Sequence, residues 1–176
     1  MELIKKLLEE AEEQKLKEGN AFITERNSQK PREQWILGKF SENYNKKAQR
    51  KLIYAKPLEG PDFRVFDSEK KHIFYVEITE ALDEGRKRTL EYKTNEKGVE
   101  EIPKADYLSV IQRLISKKCS RNYPNDTILI IYLNIFSSIY DGFVSNPFSR
   151  LYLPERCNLL QIWLLDSGGG KILQIS

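Results

Sequence analysis

The sequence predicts an α/β fold, and three observations carry that reading. Helical spacing of apolar residues runs through the first 47 residues or so and returns between Lys104 and Tyr123. Between them, from Lys51 to Glu80, the period changes to that of strands rich in β-branched and aromatic residues. After the second helical stretch, Thr127 to Phe136 (TILIIYLNIF) is a short unbroken apolar run, which suits a central strand buried on both faces.

Taken in order, Leu3, Ile4, Leu7, Leu8 and Ala11 mark an amphipathic helix ending near Gly19 and Asn20. Pro31 opens a second helix with Trp35, Ile36 and Phe40 on one side and Glu33 near its start, running to about Lys47. KLIYAKPL, DFRVFD and HIFYVEITEA read as three strands, the last two a hairpin turning through Asp67 to Lys71. Residues 83 to 103 are polar, hold two glycines and end in proline, as a long excursion does.

The third helix carries Tyr107, Ile111, Leu114 and Ile115 on one stripe and stops before Pro124. NLLQIWLL and KILQIS flank Ser-Gly-Gly-Gly and read as a closing strand pair. The order is an extra N-terminal helix, then αβββαβ, then C-terminal strands.

Length and composition bound the function classes. A chain of 176 residues, 40% of them hydrophobic, has material for one sizeable core, so a single domain over residues 1–176 is expected. Its 29 basic and 26 acidic residues leave +3, a balance that neither demands nor excludes a polyanionic partner. No stretch approaches the roughly 20 apolar residues of a membrane span. Cys119 and Cys157 are isolated, so neither a zinc site nor a disulfide framework is indicated, and a reducing, cytoplasmic setting is expected. The single histidine, His72, excludes a histidine-rich metal site and falls in the hairpin turn, where an exposed structural role is expected.

Two carboxylates carry the chemistry. Pro61-Asp62-Phe63 opens one strand of the hairpin and Glu77-Ile78-Thr79 lies fifteen residues later in the other, a separation that can bring both side chains to one edge. Two such groups plus a backbone carbonyl make the hard oxygen site that magnesium prefers. The alternative is an alternating strand with Glu77 and Thr79 turned to solvent.

Pro-Asp, a hairpin, an acidic residue, then a helix and a strand resemble the PD-(D/E)xK nuclease superfamily over about residues 31–136. The resemblance implies a restriction-endonuclease-like fold, a central mixed sheet flanked by helices. It also implies magnesium- or manganese-dependent hydrolysis of phosphodiester bonds, in DNA in preference to RNA. Asp62 and Glu77 would be metal ligands with the carbonyl of Ile78 as a third, and Glu33 is similar to a glutamate that many members carry on the preceding helix in support of the metal. Restriction-type relatives often act as dimers, so the resemblance leaves room for a homodimer.

The sequence departs from the family at Thr79, where the motif lysine belongs. At about 100° per residue, Lys118 falls within the stripe of the third helix and Lys117 outside it, so Lys118 is the replacement that helix phase selects. Its alternative role is to cover apolar surface with its stem. Arg121 and Gln112 flank the stripe as phosphate contacts, and Arg86 and Arg88 form a further basic group that a solvated loop would equally explain. Two readings therefore stand: a metal-dependent nuclease, or a catalytically inactive nuclease-like module that binds nucleic acid or a protein.

Overall fold

A computed structural model of the chain describes residues 2–19, 22, 29–48, 52–57, 59–82, 107–134, 147–166 and 168–175. Within them the fold is α/β: a mixed, open sheet of seven strands in sequential spatial order, with three α-helices. The strands are β1 (Glu2–Leu3), β2 (Ile53–Ala55), β3 (Phe63–Phe66), β4 (His72–Leu82), β5 (Thr127–Asn134), β6 (Gln161–Leu165) and β7 (Ile172–Gln174). The helices are α1 (Ile4–Glu18), α2 (Gln29–Ala48) and α3 (Tyr107–Cys119), with one 3₁₀ turn at Pro147–Arg150.

The first four strands pair antiparallel, β4–β5 and β5–β6 pair parallel, and β7 closes antiparallel on β6. The centre of the sheet is therefore the parallel part, covered on both faces, which is why β5 reads as an unbroken apolar run: Ile128, Leu129, Ile130 and Ile131 are all fully buried.

Two cores lie on opposite faces. Leu7, Leu8 and Ala11 of α1 and Trp35, Ile36 and Phe40 of α2 pack with Phe63, Val76, Ile78 and Ile130. Ile111 and Ile115 of α3 pack with Ala81, Leu129, Ile131 and Leu164. The alternation of a strand assigns β4 accordingly: Val76 and Ile78 face α1 and α2, while Glu77, Thr79 and Ala81 face α3. Close contact of α1 with α2 depends on Gly38, since a Cβ there would come within 2.6 Å of the Leu8 Cβ. Gly19, at φ 54°, closes α1 in a conformation that favours glycine.

Several expectations need correction. The N-terminal residues do not pass straight into a helix, because Glu2 and Leu3 first add β1 to β2, a two-residue pairing too short to leave a period in the sequence. The third helix ends at Cys119, four residues before Tyr123, because the chain must turn there to enter β5. His72 is not an exposed turn residue but opens β4, with its side chain 22% exposed.

The cysteines are not isolated either: Cys119 and Cys157 are joined in a disulfide. Their 38-residue separation hides the pairing, which arises because the segment leading into β6 passes the end of α3. The expectation of a reducing compartment rested on unpaired cysteines and loses that premise. Among the described residues no helix is long and apolar enough to cross a membrane.

Candidate functional site

The site is built on the β3–β4 hairpin. Asp67 sets its turn by accepting from the backbone N–H groups of Glu69 and Lys71, and Lys70 takes the positive φ of 64° that the turn requires. Pairing of Phe63 with Val76 then brings Asp62, one residue before β3, level with Glu77. The Asp62 Oδ2 accepts a hydrogen bond of 2.7 Å from the Ile78 N–H, which fixes the carboxylate against β4.

The basic half comes from α3. Lys118 lies three and seven residues beyond Ile115 and Ile111, so it shares their sheet-facing stripe and is buried, while Lys117 is exposed. Its Nζ donates to Glu77 Oε1 at 2.5 Å, with side-chain exposures of 10% and 7%. Arg121, just past the helix, holds its Nη1 3.8 Å from the same oxygen and 3.4 Å from the Tyr123 hydroxyl. Burial, the charge of Glu77 and a hydrogen bond to it push the Tyr123 hydroxyl up to about 12, so at neutral pH it is a fixed proton donor to that carboxylate.

Glu77 is thus surrounded by donors, and Asp62 is not. Burial, then the neighbouring negative charge of Glu77, pushes the Asp62 carboxyl up to about 6. The Ile78 N–H and Lys118 oppose that rise, and Glu33 adds to it. Glu33 on α2 is therefore within electrostatic reach of Asp62, while its Oε1 accepts from Gln29 at 2.8 Å.

A carboxylate held against its own charge beside a second one is a site that a hard cation would relieve. Among the described residues no three His, Cys, Asp or Glu side chains group as a ready metal cage. A two-carboxylate set still fits magnesium, which keeps several of its waters.

Other sequence-selected residues sit elsewhere. Gln112 is tied to the backbone of Tyr152, donating to its carbonyl and accepting from its N–H, both at 3.0 Å. Arg86 and Arg88 lie outside the described residues. His72 locks the entrance of β4 to that of β5: its Nδ1 accepts from Arg64 Nε at 3.1 Å, which assigns the proton to Nε2, and Nε2 lies 2.5 Å from Asp126 Oδ2.

Sequence reasoning also missed the half-buried pair of Arg32 with Glu80, in which Arg32 additionally donates to the Phe22 carbonyl at 2.9 Å. It missed Tyr123 too, which belongs to no periodic stripe. No family model matches this chain, and no curated protein or solved structure does.

Proposed function

We propose that the chain is a metal-dependent nuclease of the restriction-endonuclease-like fold, hydrolysing phosphodiester bonds in DNA in preference to RNA. The observation that carries this is the meeting of a helix lysine with the strand carboxylate: Lys118 Nζ on Glu77 Oε1 at 2.5 Å, on the face that Glu77 shares with Thr79. A family-type lysine at position 79 would project from β4 on that same face, so the helix supplies the cation that the strand lacks.

Asp62 and Glu77 would hold magnesium or manganese, with Glu33 adding negative charge from α2. When bound, such an ion stabilises charge developing on a phosphate and lowers the pKa of its water. Lys118 contributes a positive charge and N–H donors in a desolvated position, where each is worth more than in water. Tyr123 and Arg121 hold Glu77 in place.

The test is cleavage of supercoiled and linear DNA, and of RNA, with magnesium or manganese across a range of pH. The proposal requires cleavage by the wild-type chain and its loss in Asp62→Asn. No cleavage under any condition would sink it.

A second reading has one observation in its favour: the closed Lys118–Glu77 pair is what a retired catalytic pair kept for folding would look like. That binding module would retain nucleic acid or a protein partner without metal, indifferent to Asp62→Asn.

A further inference from the structure

At the end of α3 lies a cleft of about 520 Å³. Arg121, Arg156, Ser116, Ser120, Asn122 and Asn158 line it, with Cys119 and Pro154, and none of these is acidic. Two arginines line this cleft and no carboxylate does, so the only formal charge its walls carry is positive. The C-terminal end of a helix favours cations, which accounts for Lys117 and Lys118 within the last turn. It does not account for Arg156, which arrives on a different segment.

That segment is fastened in place. Arg156 immediately precedes Cys157, whose disulfide brings its Cα within 4.4 Å of the Cα of Cys119, and Arg121 follows Cys119 by two residues. Asn158, next in sequence, donates to the Tyr123 carbonyl, so the same segment also braces the turn that carries Arg121. The guanidinium of Arg121 in turn stands 3.8 Å from Glu77 Oε1. Arg121 therefore links the cleft it lines to the Asp62–Glu77–Lys118 centre.

We propose that this cleft seats a non-scissile phosphate of the substrate strand, gripped by Arg121 and Arg156, and so fixes how the strand crosses the carboxylate pair. The inference rests on the nuclease reading for its ligand, a nucleic-acid strand. Arg156 then acts in positioning and touches no reacting atom.

The test is binding of a labelled oligodeoxynucleotide, single-stranded and duplex, followed by fluorescence anisotropy over a salt series. It uses the Asp62→Asn chain, which removes cleavage and the repulsion of one carboxylate. Adding Arg156→Glu should weaken binding about tenfold at low salt. The dependence of log K on log salt should become shallower by about 1, as for one lost phosphate contact. The comparison is Lys5→Glu, the same charge change on α1 across the sheet, which should leave both quantities near their starting values.

Equal effects of the two substitutions, or none from Arg156→Glu, would overturn the cleft proposal alone. No binding by the Asp62→Asn chain would overturn the nucleic-acid reading with it.

Discussion

Replacing Asp62 by Asn should make the metal-free protein more stable. The folded chain holds the Asp62 proton up to about 6, against an ordinary value of 3.8, because burial and Glu77 disfavour the anion. A group whose folded value is raised contributes stability that is fully present below the unfolded value and is lost as pH rises through the folded one. Asp62 therefore costs nothing below about pH 4 and its full penalty above about pH 6. A rise of about 2 units at 1.36 kcal/mol each sets a ceiling of about 3 kcal/mol, with solvent at the partly exposed side chain reducing it.

Asparagine removes the charge and keeps an oxygen to accept from the Ile78 N–H. In excess chelator above about pH 7, Asp62→Asn should thus raise the melting temperature by about 5–10 °C for a chain of this size. Below about pH 4 the two proteins should melt together. Thermal melts by circular dichroism across that range measure the difference directly. A variant less stable than wild type at neutral pH, or a gap that does not close in acid, would refute the reasoning that this carboxylate is held against its own charge.

The remaining predictions concern the other half of the site and its brace. Lys118→Met leaves Glu77 buried without its amine and should cost about 3 kcal/mol in urea unfolding, the low end for a broken buried pair because Tyr123 and Arg121 remain. Adding Thr79→Lys to that variant should recover part of both stability and cleavage, since the new amine shares Glu77's face; no recovery of either would show that strand and helix positions are not interchangeable. Replacing both cysteines with serine should lower stability by up to about 4 kcal/mol, the loop-closure value for a 38-residue separation, and urea unfolding with and without reductant checks it.

Much of this arrangement is legible in the sequence, because periodicity is a local property. Buried Ile111, Ile115 and Lys118 lie at helical intervals, and that phase alone separates Lys118 from the exposed Lys117. The Asp67–Lys71 turn likewise sets the register that places Asp62 level with Glu77. What is not legible is long-range. The Cys119–Cys157 bridge, the clasp of His72 by Arg64 and Asp126, and the cleft that Arg121 and Arg156 both line join segments whose spacing carries no signal. The Gln112 side chain shows the converse: its position flanking the stripe is correctly inferred, yet its amide is spent on the Tyr152 backbone.

The central claim is that Asp62 and Glu77 together hold one divalent cation. Calorimetric titration of manganese into the metal-free protein at neutral pH tests it without reference to activity. Wild type should show one saturable site, and Asp62→Asn, folded and more stable, should lose it. Absence of manganese binding by wild type, or binding that survives Asp62→Asn unchanged, would contradict the account.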